Sequence, residues 1–228
     1  MNDTAIRPAA SPLVCTRQGE YAVLCDAGDG AELNLDTQRR VWAAAASLTA
    51  RGDVLEVVPG MNNFLVIFRG VQEDFDACRA DILCAWSQSE AGGSKPRQVT
   101  VPVIYGGQTG EDLQEVARRA GMSPEDYVAL HAQATYVVYA LGSQPGFAYL
   151  GGLDPRLAIP RRDTPRPRVE AGSVIIGGAQ TGILSRTTPS GWHIIGRTEL
   201  NCFDHTRQRP ALLEPGDTVR FTIQEVRA

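Results

Sequence analysis

Lysine is almost missing from this chain: of 22 basic residues only Lys95 is a lysine, and the others are all arginine. A Walker A loop, G-x-x-x-x-G-K-[ST], cannot be written around Gly93-Ser94-Lys95-Pro96, so any nucleotide handled here is not held by a P-loop. The same scarcity leaves one residue for a Schiff base or a biotinyl site, and its Gly, Ser and Pro neighbours read as a linker. Long apolar runs are missing too. None exceeds six residues, as in Val41 to Ala46, against the roughly 20 that span a bilayer. Met1 to Pro8 has no apolar h-region, so the expectation is a cytoplasmic protein. Cysteine pairs of the C-x-x-C type are absent, and the five cysteines (15, 25, 78, 84, 202) are odd in number. That argues against a disulfide framework and a zinc knuckle and for buried thiols, with no metal site expected. A net charge of -4 argues against nucleic acid as a partner. The chain also lacks G-x-S-x-G, H-E-x-x-H and G-x-G-x-x-G, the signatures of common hydrolases, zinc proteases and dinucleotide enzymes.

What is present is enough sequence for two modest domains, 228 residues with 43% hydrophobic. The first part alternates strand and helix signals. Tyr21 to Cys25 reads as a strand ending in the turn Asp26-Ala27-Gly28-Asp29-Gly30. A helix follows, capped by Asp36, with Val41, Ala45 and Leu48 on one face and Gly52 as its stop. Val54 to Val58 and Phe64 to Phe68 form a hairpin around Pro59 to Asn63, and a second helix lines up Phe75, Cys78, Ile82 and Trp86. With Gln98 to Val103 as a last strand the order is βαββαβ, a ferredoxin-like arrangement. The expected domains are therefore 1–95, its last strand extending to about 103, and 96–228, with a hinge at Ala91 to Pro96.

The second part opens with a strand over Val99 to Tyr105. A short helix carrying Leu113, Val116, Ala117 and Ala120 comes next, then another opened by Ser123-Pro124-Glu125-Asp126. After the strand Thr135 to Leu141 no helical period survives, and Gly142 to Gly196 holds ten Gly and six Pro in 55 residues. This predicts a β-barrel or sandwich with functional loops.

Three stretches there are candidates for chemistry. In Gly142-Ser143-Gln144-Pro145-Gly146-Phe147-Ala148-Tyr149, glycines bring backbone close while Gln144, Phe147 and Tyr149 offer polar and aromatic contacts. In Pro160 to Arg168, prolines stiffen a loop of four arginines, among which Arg166 and Arg168 are expected to hold an anionic group. Around Gly177-Gly178-Ala179-Gln180-Thr181-Gly182 and Pro189 to Thr198, His193 is the one histidine of three in a glycine- and aromatic-rich setting. It is the expected proton-transfer group, with Gln180 and Arg197 as substrate contacts. Strand alternation places His193 and Ile195 on one face and Trp192 and Ile194 on the other, and His193 is expected to point into the barrel near Gln180, which the flanking GGAQTG loop would place there.

VPVIYGG, LGSQPGFAYLGGL, PRRDTPRPRVEAGSV, GGAQTGI and PSGWHIIGRT follow one another between positions 101 and 198. In that string the chain resembles the allophanate hydrolase subunit 1 family, with its carboxyltransferase-like subdomains C and D, which includes the B-type component of 5-oxoprolinase and the sporulation histidine-kinase inhibitor. The resemblance implies an N-terminal α/β domain followed by a cyclophilin-like β-barrel, an α+β protein overall. It implies a subunit, inactive or nearly so alone, that works with a paralogous C-type subunit and a third oxoprolinase subunit. The small-molecule substrate would be 5-oxoproline, opened to glutamate at the expense of ATP, with magnesium, in the assembled complex and with no tightly bound cofactor. The alternatives it leaves are a regulatory protein that inhibits a sensor histidine kinase and a part of a urea amidolyase-like carboxyltransferase. Neither amidase chemistry nor prolyl isomerase activity follows, because no Ser-Ser-Lys centre is present and fold alone assigns no activity.

Overall fold

The structure is a computed structural model that describes residues 13–28, 33–89 and 96–227. Met1 to Pro8, the Asp29-Gly30 end of the first turn, and the linker with Lys95 lie outside the described residues. The chain divides into two compact units, Met1–Ser94 and Lys95–Ala228.

The first unit has the order β1 (Val14–Gln18), β2 (Ala22–Asp26), α1 (Leu35–Thr49), β3 (Val54–Pro59), β4 (Asn63–Phe68) and α2 (Phe75–Gln88). Its strands form one antiparallel sheet in the order β1-β2-β4-β3. One sheet face carries Val23, Cys25, Phe64, Val66 and Phe68, which pack with Val41, Ala44 and Leu48 of α1 and Cys78, Ile82 and Trp86 of α2. The Cys78-Ile82-Trp86 stripe is thus core, as its spacing requires. The cap of α1 differs from expectation. Asn34, two residues earlier, accepts from Thr37 N–H at 2.9 Å, while Asp36 lies in the first turn and pairs with Arg39. Both are good capping types, and the extended backbone at Asn34 decides between them.

One strand also differs. Gln98 to Val103, expected to complete the first sheet, belongs to β5 (Gln98–Gly106) of the second unit, where the strand expected over Val99 to Tyr105 does open the barrel; the first sheet instead contains β1, so the order is ββαββα rather than βαββαβ. The physical reason is burial. Val101, Val103 and Tyr105 supply core side chains that only a closed barrel covers, whereas β1 shows Val14, Thr16, Arg17 and Gln18 to solvent and lacks an apolar run.

The second unit is a closed barrel of β5 (Gln98–Gly106), β6 (Tyr136–Leu141), β7 (Ala148–Gly151), β9 (Ser173–Gly177), β10 (Gln180–Ile183), β12 (His193–Arg197) and β13 (Thr218–Arg227), in the order β10-β7-β6-β13-β5-β12-β9. A separate ribbon pairs β8 (Arg166–Val169) with β11 (Thr188–Ser190). Closure leaves the barrel without free edges. The helices α3 (Leu113–Arg119) and α4 (Pro124–Gln133) contribute Leu113, Val116, Tyr127 and Val128 to the barrel core. Ser123 caps α4 by accepting from Asp126 N–H at 3.1 Å, with Pro124 opening the helix.

Two layers of side chains follow from strand alternation. Inside lie Val103, Val174, Ile176, Ile183 and Ile195 with the rest of the core; outside lies a smaller cluster of Phe147, Val169, Ile175, Leu184, Trp192 and Ile194. His131 of α4 is fully buried among the inner residues, with its ring 4.6 Å from that of Phe221. Its hydrogen bonds have one consistent direction. Thr181 Oγ1 donates to the Ile175 carbonyl (3.0 Å), so it accepts from His131 Nε2–H (3.0 Å), and bare Nδ1 accepts from Tyr105 O–H (2.9 Å). Burial lowers the His131 imidazole to about 3, which keeps this ring neutral and structural.

Candidate functional site

The site is built where β12 begins. His193 pairs across the sheet with Ile176, which pairs with Thr181, so these three form one row on the inner face. Trp192 and Ile194 belong to the outer cluster, in agreement with the expected alternation. His193 is buried, and its Nε2 lies 3.0 Å from the Pro160 carbonyl, an acceptor only. Nε2 therefore carries a proton, and in the neutral ring Nδ1 presents a lone pair. That Nδ1 is buried and has no hydrogen-bond partner among the described residues.

Asp112 holds this start of β12 in place. The strand pairs with β5 only at Gly196 and Arg197, so Ile194 has no ladder partner on that side. Asp112 substitutes for one: its N–H donates to the Ile194 carbonyl at 2.9 Å, and its Oδ2 accepts from Ile194 N–H at 2.7 Å. The approach depends on Gly110, where a Cβ would come within 2.3 Å of the Ile195 carbonyl oxygen. Although Asp112 precedes α3, its side chain makes no capping bond. It is instead the acceptor of the arginine loop. Arg166 grips it with both Nη atoms, at 2.9 and 2.8 Å, and Arg162 adds a contact at 3.3 Å. Burial alone would raise the Asp112 carboxyl, but the Arg166 hydrogen bonds, the Ile194 N–H and the two guanidinium charges outweigh it and hold the group below its ordinary value.

The other expected residues are distributed around this point. Arg166 spends its fork on Asp112 and its Nε on Glu111 at 3.0 Å, so it pins the loop. Arg168 has a side chain 72% exposed and pairs with Glu170 at 2.8 Å. Gln180 opposes Gly177 and so shares a face with the outer cluster; its neighbour Thr181 is the residue that shares the inner face with His193. Phe147 is buried in the outer cluster, edge-on to Tyr149 at 5.0 Å and to Trp192 at 6.0 Å. Gln144 sits in the tight loop after β6, its Oε1 buried and without a partner among the described residues. Arg197 ends β12, four residues from His193 and so about 13 Å along the strand, and does not join it. Gly177 has a packing duty: a Cβ there would stand 2.7 Å from the Trp192 ring. Trp192 also takes the Arg161 guanidinium at 5.5 Å from its ring centroid.

Asp112 and Trp192 were not among the sequence candidates. The signal for Asp112 was available in principle, since a lysine-poor chain that masses four arginines between prolines needs carboxylates opposite them, and Glu111-Asp112 is an acidic pair with no helical face to serve. Among the described residues no group of three or more His, Cys, Asp or Glu could hold a metal, and no helix is long and apolar enough to cross a membrane. A cavity of about 250 Å³ lies in the first unit, where Arg51 is already paired with Asp53 and Asp81 on its wall.

Residues 13–213 match the family described as carboxyltransferase domain, subdomain C and D. The chain belongs to this family. It is 44% identical over 212 residues to a protein of Escherichia coli O157:H7 named as the B-type component of 5-oxoprolinase, covering 92% of this chain and 96% of that one. Among solved structures, TTHA0988 superposes with a TM-score of 0.76 at 36% identity over 90% of this chain, and the chain spans about 40% of that longer protein. Kluyveromyces lactis urea amidolyase shares the fold, with a TM-score of 0.77 at 20% identity, over 95% of this chain and 15% of its own. The family and the barrel thus agree with the resemblance carried by the glycine-rich motifs. Relatives from Haemophilus influenzae and Bacillus subtilis, 42% and 37% identical, carry the same name.

Proposed function

We propose that this chain is the B-type component of an ATP-dependent 5-oxoprolinase, acting in the cytoplasm with a paralogous C-type subunit and a third subunit to open 5-oxoproline to glutamate. The observation that carries the reading is the near full-length likeness to proteins of that name, 44% identical over 96% of the Escherichia coli relative. The buried Nδ1 of His193 supports it from the chemical side. A lactam offers an N–H that a neutral imidazole nitrogen can accept, and ring opening needs a proton delivered to that nitrogen as the C–N bond breaks. Nδ1 takes a proton from the water that adds to the lactam carbonyl and passes it to the lactam nitrogen as the C–N bond breaks, while the Pro160 carbonyl holds Nε2 as the donor. Asp112 acts through position only: it fixes Ile194, the residue after His193, and thereby the ring's direction.

Of the two arginines expected to hold an anion, Arg168 is the one whose fork an incoming anion can take, since its pairing with Glu170 is exposed to solvent. Arg162 and Arg166 face Asp112. ATP and its magnesium belong to the assembled complex in this reading, and no step of the His193 chemistry is routed through them. The test is reconstitution. The chain alone is expected to show no 5-oxoproline-dependent ATP hydrolysis, and the three subunits together are expected to show it. An inactive reconstituted set, with the isolated chain binding a kinase dimerisation domain, would replace this reading by that of a kinase regulator.

A further inference from the structure

Cysteine spacing along the chain gave no pairs, yet the first sheet makes one. Cys15 of β1 and Cys25 of β2 are direct cross-strand partners, and their sulfurs stand 4.0 Å apart. Directly opposed antiparallel residues have Cα atoms about 4.5–5.5 Å apart, inside the window of about 4.4–6.8 Å that a disulfide spans. Side-chain rotation alone is needed to close the remaining gap. We propose that Cys15 and Cys25 are a redox pair that a peroxide converts to a cross-strand disulfide, fastening the edge strand β1 to β2. The inference is independent of the activity proposed above.

The two thiols have unequal roles. Cys15 is half-buried at the sheet edge and is the one an oxidant reaches, while Cys25 is fully buried beneath the helices. With both protonated, Cys15 S–H donates to Cys25 Sγ and Cys25 S–H donates to the Val23 carbonyl at 3.8 Å. When Cys15 ionises, Cys25 can turn its S–H onto the thiolate. That hydrogen bond lowers the Cys15 thiol, with burial opposing and the Arg79 charge assisting, and the same interaction together with burial raises Cys25. Cys15 is accordingly the nucleophile and Cys25 the resolving thiol. In the first step Cys15 sulfur attacks hydrogen peroxide, giving a sulfenic acid and one water. In the second, Cys25 sulfur attacks the sulfenic sulfur, the S–O bond breaks, and the proton of Cys25 leaves with the hydroxide as a second water. Two thiols are oxidised by two electrons, and one peroxide is reduced to two waters.

The structure also says what the bond would do. β1 pairs with β2 alone, so it is held on one side only and, as one of the two edge strands of this sheet, can fray. A covalent link at its second residue removes that motion. The experiment treats the full folded chain, carrying Cys84→Ser to remove the exposed thiol, with hydrogen peroxide, followed by alkylation and peptide mass mapping. Expected are a linked Cys15–Cys25 peptide, its loss in Cys15→Ser and in Cys25→Ser, its reversal by dithiothreitol, and slower amide exchange across Val14–Gln18 in the oxidised form. Both thiols remaining alkylatable, Cys15 advancing to a sulfinic acid beside reduced Cys25, or a bond from either to Cys78 would each overturn the proposal. Retention of the link in Cys78→Ser supports it further.

Discussion

Asp112 and Ile194, 82 residues apart, exchange two hydrogen bonds: Asp112 N–H to the Ile194 carbonyl at 2.9 Å, and Ile194 N–H to Asp112 Oδ2 at 2.7 Å. The side chain thereby continues a ladder that β5 does not supply, and it also anchors the arginine loop that carries Pro160, the acceptor for His193. One carboxylate thus braces both the strand that carries the candidate histidine and the loop that carries its acceptor. Asp112→Asn keeps an acceptor for Ile194 but takes the charge partner from both Nη atoms of Arg166, whose side chain is only 20% exposed, leaving it Glu111 at Nε alone. The expected cost is about 2–4 kcal/mol by urea unfolding, and Asp112→Ala should cost roughly 1 kcal/mol more by orphaning the Ile194 N–H as well.

The arginines of the loop should separate by duty. Arg166→Lys retains charge and loses the two-pronged grip on Asp112, for an expected loss of about 1–2 kcal/mol in stability. Arg168→Lys should change stability by less than about 0.5 kcal/mol while raising KM for 5-oxoproline or ATP in the assembled enzyme. Equal stability of the two variants would show that the Asp112 fork does not pin the loop.

Acid should destabilise the barrel well before its carboxylates titrate. His131 is lowered to about 3 in the fold against about 6.5 unfolded, so the unfolded chain binds the extra proton between those values and stability rises with pH there. The contribution is whole above pH 6.5 and falls by about 1.4 kcal/mol per unit below it, or about 2 kcal/mol between pH 6.5 and 5. Asp112, also lowered, adds a further loss only below about pH 4, as it too must protonate. His131→Gln should flatten the slope between pH 6.5 and 5 while starting from a lower stability at pH 7.

Gly177→Ala should displace the Trp192 ring, since the added methyl would stand 2.7 Å from it. The expected cost is about 1–3 kcal/mol. A change in Trp192 emission, read in a chain whose Trp42 and Trp86 are replaced by Phe, would locate the disturbance at the candidate site. An unchanged spectrum would mean that the ring does not rest on that glycine.

How much of this could be read in the sequence depended on the range of the interactions. The α4 cap at Ser123-Pro124 and the stripe Cys78-Ile82-Trp86 are fixed by neighbours within one or two turns, and they stand where their spacing puts them. Alternation along Trp192 to Ile195 was equally local and placed His193 on the inner face. The flanking glycine-rich loop alone points to Gln180 beside His193, but it is Thr181, bonded to His131 50 residues away, that takes the inner face there. Gln98–Gly106 reads as a strand from its pattern, but its parallel pairing with β13 and its membership of the barrel involve residues more than 100 positions away. Asp112 shows in the sequence only as half of an acidic pair, because its partner Ile194 lies 82 residues away, and the Cys15–Cys25 pair, ten residues apart, is made by strand register, which cysteine spacing does not show. A hydrophobic period announces an element, and a lone carboxylate or thiol announces nothing about what it will meet.

Turnover by the complex reconstituted from all three subunits and carrying His193→Gln bears most directly on the proposed activity. Glutamine retains a side-chain donor for the Pro160 carbonyl but removes proton transfer at Nδ1. With the variant complex assembled and as thermally stable as the parent, kcat for 5-oxoproline-dependent ATP hydrolysis should fall by about 10²- to 10⁴-fold. Near-normal kcat in that stable complex would contradict the assignment and leave His193 as a hydrogen-bonding wall residue of the barrel.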